Sequence, residues 1–305
     1  MLRKLVILAV VLAIIGAAVF WVVTIPATVP ANTLKPHTPS LANGRTMFFA
    51  GGCASRHATP KQDDKTRLGG GFALKSPFGT FHVPNISSDP SDGIGGWSEA
   101  QFVTAMTKGT SPDGRHYYPA FPYASYTHMR FEDLRDLFAF LKTLPAVQGT
   151  VRGHDLPFPF NIRRAVGGWK LLFLDDTPFR GDPGKSAEWN RGAYLVNGPG
   201  HCAECHSPRN ALGGIIAGQR FAGGPNPEGE GFIPNITQKN LGDYSEKDIA
   251  YVLETGQMPD GDSVGGQMAA VVRNTGQLSP EDRNAMALYV KSLPPVEGPK
   301  KPEKK

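Results

Sequence analysis

A chain of 305 residues has room for one or two domains with sizeable cores, and its 36 glycines and 27 prolines commit much of it to loop and turn. Net charge is +5, with Lys300, Lys301, Lys304 and Lys305 in a Pro/Lys-rich end; no long basic run interleaved with aromatics exists, which excludes nucleic acid as the expected partner. The three cysteines, Cys53, Cys202 and Cys205, are too few and odd in number for a disulfide framework.

At the N-terminus, Arg3 and Lys4 precede an uncharged apolar run from Leu5 to Val23. Its length is near the ~20 residues a bilayer-spanning helix needs and exceeds the ~7–15 of a cleavable signal core. Basic residues before the run and the folded chain after it place the bulk outside the cytoplasm. Residues 1–25 are therefore expected to form a single-pass anchor in a bacterial inner membrane, a cleaved signal peptide being the alternative. Residues 26–40, rich in Pro and Thr, read as an extended tether.

The most specific motif lies far downstream: Cys202-Ala203-Glu204-Cys205-His206. Two thiols two residues apart can each add to a porphyrin vinyl group, and the adjacent imidazole then falls under the iron, so C-x-x-C-H signals covalent haem c. A zinc site would need a second close Cys/His pair, and the chain has none. Attachment of haem to a translocated chain makes the periplasm the natural compartment.

The motif belongs to a repeat. Residues 44–57 echo 192–206; Pro84-Asn85-Ile86 matches Pro234-Asn235-Ile236. Ser98-Glu99 opens a helix stopping near Gly109, and Ser245-Glu246 opens one stopping near Gly256, with serine and glycine as the expected punctuation. Pro-Asp-Gly turns follow at 112–114 and 259–261. Each half closes with a helix before proline: Phe131 to Leu144, with Leu134, Phe138 and Leu141 on one face, and Ser279 to Leu293, burying Ala285, Leu288 and Tyr289. The expected architecture is all-α: the anchor, then two tandem cytochrome c-type domains at 41–150 and 187–296. Residues 151–186, with Phe158, Phe160, Trp169, Phe173 and Phe179, are expected to pack across both domains, and 297–305 to form a disordered basic tail.

In the first copy, Cys53-Ala54-Ser55-Arg56-His57, arginine stands where the second cysteine belongs. The copy is expected to hold haem through one thioether at Cys53, with His57 on the iron. The alternative is a domain that kept its fold without haem and serves as a docking module; Arg56 beside a porphyrin edge, and maturation machinery that reads both cysteines, favour it. Survival of His57, Pro84 and a candidate distal methionine favours two haems. Electron-transfer cytochromes c use His/Met ligation. Met129 and Met268 both fall between the turn and the last helix of their copies, so they are the expected distal ligands, with His128 the rival of Met129. Met47, Met106 and Met286 sit in helical patterns and are assigned to core packing. His201 is expected at the surface or on the pocket wall rather than on iron. The backbone carbonyls of Pro84 and Pro234 are expected to accept the second ring nitrogen of His57 and His206.

The stretches GAYLVNGPGHCAECHSPRN (192–210), FIPNIT (232–237), PDGDSVGGQM (259–268) and LYVKSLPP (288–295), with VPNIS (83–87), YPAFPYASYTHM (118–129) and FLKTLP (140–145), resemble membrane-anchored multihaem cytochromes c, the cytochrome subunits of bacterial alcohol and sugar-acid dehydrogenases. The resemblance spans roughly 41–296. It implies two all-α domains, His/Met haems, and electron relay from a periplasmic dehydrogenase towards quinone or a terminal oxidase. Many such subunits carry three haem motifs, and Arg56 departs from the family pattern. Six-coordinate His/Met iron implies an electron carrier without substrate chemistry. The enzyme alternatives are a dihaem peroxidase, which needs an open iron, and a thiosulfate-oxidising cytochrome, which needs a free cysteine ligand.

Overall fold

The computed structural model describes residues 1–229 and 231–301. Helix α1 (Leu2–Val23) runs 22 residues, reaches a mean hydropathy of 3.1 and buries none of its side chains, so by length and composition it is a candidate membrane span. It is clamped where it ends. Thr24 is buried, its hydroxyl donates to the Phe20 carbonyl at 2.6 Å, and its own carbonyl accepts from His116 Nε2 at 2.8 Å.

The first repeat comprises α2 (Leu41–Ala50), α3 (Cys53–His57), the hairpin β1 (Ala73–Ser76) with β2 (Gly79–His82), α4 (Glu99–Lys108), α5 (Tyr123–Tyr126) and α6 (Phe131–Leu141). The connecting segment carries α7 (Ala165–Phe173). The second repeat comprises α8 (Ala187–Asn197), α9 (Ala203–His206), β3 (Gly224–Pro225) with β4 (Phe232–Ile233), α10 (Gln238–Leu241), α11 (Glu246–Thr255), α12 (Gly266–Thr275) and α13 (Pro280–Lys291). The helical architecture is the expected one. The two antiparallel hairpins, with Leu74 opposite Phe81 and Gly224 opposite Ile233, are too short to leave an alternating pattern in the sequence.

Both domains are built on one helix crossing. Alpha-2 packs on α6 and α8 on α13, each with a glycine at the contact. A Cβ on Gly44 would lie 2.1 Å from the Asp136 carbonyl oxygen, and one on Gly192 would lie 1.8 Å from that of Ala285. Only glycine lets the backbones approach this closely. The middle helices follow their punctuation: Ser98 with Gln101, and Ser245 with Asp248, form reciprocal capping boxes, and Gly109 (φ +55°) and Gly256 (φ +79°) end the helices in the left-handed conformation. The last helices stop at Leu141 and Lys291, short of the expected ends. The chain continues in i→i+3 turns, Leu144 to Leu141 and Leu293 to Val290, because a residue before proline is disfavoured in the α conformation.

Leu134, Phe138 and Leu141 are buried as expected, and Phe138 stacks on Phe102 with ring centroids 4.7 Å apart. On α13 the buried stripe is Ala285, Met286, Ala287 and Val290. Leu288 and Tyr289 are only half-buried, because Tyr289 turns to Trp189 and accepts from Asn197 at 2.9 Å. Residues 26–40 are extended but docked rather than free. Val29 N donates to Thr104 at 2.9 Å, Arg135 to the Lys35 carbonyl at 2.6 Å, and the Asp136 carboxylate accepts from His37 at 2.6 Å and from Ser40 N at 2.8 Å.

The connecting segment packs on both domains. Lys170 donates to the carbonyls of Lys108 (2.6 Å) and Gly109 (2.7 Å), and the Trp169 indole donates to that of Leu212 (3.0 Å). It also meets α1, with the Arg164 guanidinium 4.3 Å from the Trp21 ring centroid. Of the expected tail, Glu297 pairs with Lys239 at 2.5 Å and Gly298 lies against Ala222, so its first residues are docked; 302–305 lie outside the described residues.

Candidate functional site

Alpha-2 and α8 deliver the chain to the two motifs, and the same loop closes over each. The His57 carbonyl accepts from Gly70 N at 2.8 Å, and the His206 carbonyl from Gly223 N at 2.8 Å. Both glycines have positive φ (+70° and +71°), and both lie against the segment that follows the hairpin and carries the proline. A Cβ on Gly70 would come within 2.5 Å of the Pro84 carbonyl, and one on Gly223 within 2.6 Å of the Ile233 oxygen.

The prolines accept the imidazoles as expected: His57 Nδ1 donates to the Pro84 carbonyl at 3.0 Å and His206 Nδ1 to that of Pro234 at 2.8 Å. A proton fixed on Nδ1 leaves the Nε2 lone pair available as a ligand. Burial lowers His57 to about 4, against the Pro84 hydrogen bond and with help from the Arg56 charge; burial likewise lowers His206. Both rings are therefore neutral at pH 7. Burial pushes the Cys53 and Cys202 thiols up to about 12 and raises Cys205, so they stay protonated rather than acting as thiolates. Among the described residues no group of three or more Cys, His, Asp or Glu side chains is placed to hold a metal ion, which leaves Cys202 and Cys205 without zinc partners.

Both motifs open onto one cavity of about 1660 Å³, lined by Cys53, His57 and Pro84 from the first domain and Cys202, Cys205, His206, Pro234 and Met268 from the second. Ile86, Phe102, Ile236 and Val252 contribute apolar walls. Neutral imidazoles with a free nitrogen, protonated thiols beside them and an apolar interior fit a porphyrin. His201 lies on the wall between the motifs, as expected, with Nε2 3.3 Å from the Gly51 carbonyl.

The structure brings Met268, on α12, to this cavity together with His206; Met258 lines it from the preceding turn. Met129 is not among the described residues that line it. Met129 is 2% exposed and sits just before the N-cap of α6, where α13 has Leu278; a Cβ on Gly198 would lie 3.4 Å from its Cγ. His128 is also outside the lining and donates through Nδ1 to the Thr177 carbonyl at 2.7 Å.

Local pairing explains the difference. The same number of residues separates Ser98 from Ser245, Gly109 from Gly256, and the β-bridge Thr110–His116 from the bridge Gln257–Ser263. Continued without a gap, that spacing sets Phe121 on Met268, and Phe121 does line the cavity. The segment from Met268 to α13 is two residues longer than that from Phe121 to α6, so landmark order alone cannot pair the methionines.

Arg56, at the place of the second cysteine, is turned to the other domain. Its Nη1 donates to Glu228 Oε2 at 2.8 Å, its Nη2 to Oε1, and its guanidinium lies 5.3 Å from the Phe72 ring centroid. The cation is thus compensated by a carboxylate rather than left facing the porphyrin edge alone. Each motif also touches the other repeat: Asn274 Nδ2 donates to Ser55 Oγ at 2.8 Å, and Ser125 Oγ to Glu204 Oε1 at 2.9 Å. Sequence reasoning missed Glu228, Ser125 and Asn274, which lie in unremarkable polar contexts. Phe121 was within reach by counting from the serine caps.

A cytochrome c family signature is matched twice, by residues 41–145 and 190–294. A "Diheme cytochrome c-type" protein of Cereibacter sphaeroides is 51% identical over 287 residues, which cover 93% of this chain and 96% of that one. The fructose dehydrogenase cytochrome subunit of Gluconobacter japonicus is 34% identical over 85% of this chain and 53% of its own length. The cytochrome c subunit of the quinone-dependent alcohol dehydrogenase of Gluconacetobacter polyoxogenes is 33% identical over 88% and 59%. The chain thus spans almost all of the first relative and little more than half of the two dehydrogenase subunits. With its two signatures, its paired histidine sites and these relatives, the chain belongs to the cytochrome c family, as two tandem cytochrome c domains that carry two haem c groups.

Proposed function

We propose that the protein is a membrane-anchored periplasmic electron carrier that relays electrons from a dehydrogenase to quinone or a terminal oxidase. Each haem c, when bound, supplies a one-electron iron couple. In the second domain Cys202 and Cys205 would hold the porphyrin, and His206 and Met268 would ligate its iron. In the first domain Cys53 makes a single thioether and His57 ligates. Met129, packed in the core, takes no part. The observation that carries this reading is the single cavity onto which both histidines open, since two redox centres sharing one apolar chamber need no further protein between them. The named dehydrogenase subunits among the relatives support a dehydrogenase as the donor.

Membrane anchoring rests on α1 and on what surrounds its end. Phe158, Leu171 and Leu172 of the connecting segment are 79%, 61% and 67% exposed. They belong to the segment that grips α1 through Arg164 and Trp21, and apolar side chains so placed suit the bilayer interface. The protein is expected to stay in membranes through alkaline carbonate washing with Met1 or Leu2 at its N-terminus; release with a cleaved N-terminus would contradict the anchor. Potentiometric titration of the full chain is expected to show two one-electron waves. Turnover of peroxide or thiosulfate at rates matching cellular flux would overturn the carrier reading.

A further inference from the structure

We infer that the iron of the first domain's haem has no protein ligand opposite His57, and that this face is a binding site for a small neutral diatomic molecule such as carbon monoxide. The inference rests on His57 holding iron, as proposed above, and goes beyond it.

The caps and β-bridges that align the two repeats place Phe121 where Met268 stands, and both side chains line the cavity. A phenyl ring has no lone pair to give. The rings it packs against, Tyr117 (centroids 5.6 Å apart) and Tyr126 (5.7 Å), offer only phenols. A phenol ligates iron as phenolate, and burial holds Tyr126 well above the usual phenol range and lifts Tyr117 to about 12. Met129, His128 and His116, the ligating types nearby in sequence, do not line the cavity, and the other imidazoles on its wall are engaged: His82 with Asp155, His154 with the His82 backbone N–H, and His201 with the Gly51 carbonyl.

Besides Cys53, one sulfur among the described residues lines this domain's share of the cavity, that of Met106 on α4. By the same spacing its counterpart is Leu253 on α11, which also lines the cavity. The position is therefore a wall in both domains, and the one domain that has a methionine at the Phe121 place has leucine here.

The chemistry of the open face selects its ligand. Ferrous iron bonds a π-acceptor such as carbon monoxide by donation and back-donation; one Fe–C bond forms, no bond breaks and no proton or electron leaves. Phenyl and neutral phenol walls favour a neutral diatomic over an anion, and the guanidinium of the motif itself, Arg56, is already paired with Glu228.

The test is a carbon monoxide titration of the dithionite-reduced full-length protein, with haem counted on the same sample. Two haems and one bound carbon monoxide per chain are expected, with high-spin iron in half of the haem. Phe121→Met is expected to abolish carbon monoxide uptake and to give a second methionine–iron charge-transfer band, whereas Phe121→Leu keeps uptake. Met106→Leu is expected to leave the stoichiometry at one. Two haems with no uptake would overturn the inference, and a gain of uptake in Met106→Leu would identify Met106 as the ligand instead. One haem per chain would overturn the assignment of iron to His57 itself, a different failure read from a different number.

Discussion

Asn274, on the helix that carries Met268, donates through its side-chain amide to Ser55 inside the damaged motif of the other domain, at 2.8 Å. Asn274 is 7% exposed, and its other donor bond goes to the Ala270 carbonyl at 2.7 Å. The contact ties the Met268 helix to the first haem site. Replacing Asn274 with Ala leaves Ser55 without this donor and opens a gap between the domains. It is expected to cost about 1–2 kcal/mol in denaturant unfolding and to broaden the Met268–iron absorption. An unchanged midpoint and band would show that the domains are held by other contacts.

Met268→Ala is expected to convert the second haem from low-spin to high-spin while both haems remain attached, because the thioethers at Cys202 and Cys205 do not depend on the sulfur ligand. Absorption and electron paramagnetic resonance spectra decide this. A spectrum unchanged in Met268→Ala but altered in Met258→Ala would move the ligand to the other methionine on the wall.

Arg56→Cys is expected to restore a second attachment point in the first domain. The pyridine haemochrome band of that haem should move to the position of a two-thioether haem c, and the tryptic peptide containing residue 56 should carry the haem mass. The same change breaks the ion pair with Glu228, whose side chains are 27% and 15% exposed. A pair screened to that degree is expected to cost about 1 kcal/mol, nearer the surface limit than the buried one. Arg56→Ala isolates that cost.

Gly192→Val tests the crossing of α8 and α13. With a Cβ due 1.8 Å from the Ala285 carbonyl, the helices must separate, and the loss is expected to reach about 3 kcal/mol or more. Gly218→Ala, where a Cβ meets nothing within 4 Å, is the control and is expected to be silent in thermal melts.

Asp136 gives the docked segment its pH dependence. Burial pushes its carboxyl up, but hydrogen bonds from Asn43, His37 and Ser40 N outweigh burial and hold it below the ordinary carboxylate range. A carboxyl depressed in the folded state contributes stability that is present above its unfolded pKa of about 3.9 and is lost as pH falls through the lower folded value. Acid unfolding should therefore begin with release of residues 37–40. Asp136→Asn is expected to flatten the stability profile below about pH 4; a profile with the native slope would assign the acid response to another group.

Much of the architecture could be read in advance because its signals are local. Serine caps, glycine stops, the Pro-Asp-Gly turns and the proline after each last helix all act within a few residues, and only the last helices depart from expectation, ending a few residues early. The imidazole–proline pairs were legible for the same reason, being repeated landmarks. What escaped is what depends on register or on the opposite domain. Met129 matches Met268 in order along the chain but not in spacing, and the caps together with the bridges Thr110–His116 and Gln257–Ser263 set Phe121 against Met268. Glu228 and Asn274 carry no sequence signal for their partners, since the contacts join residues far apart in the chain. Thr and Pro in 26–40 specify an extended backbone but not the carboxylate that binds it.

The claim on which the rest depends is that the motif with arginine in place of its second cysteine still holds a haem. The direct measurement is a pyridine haemochrome assay against protein concentration, with mass spectrometry of the peptide containing Cys53. Two haems per chain, with one α-band displaced towards the single-thioether position and haem mass on the Cys53 peptide, are expected. One haem per chain, with Cys53 found as a free thiol, would contradict the account.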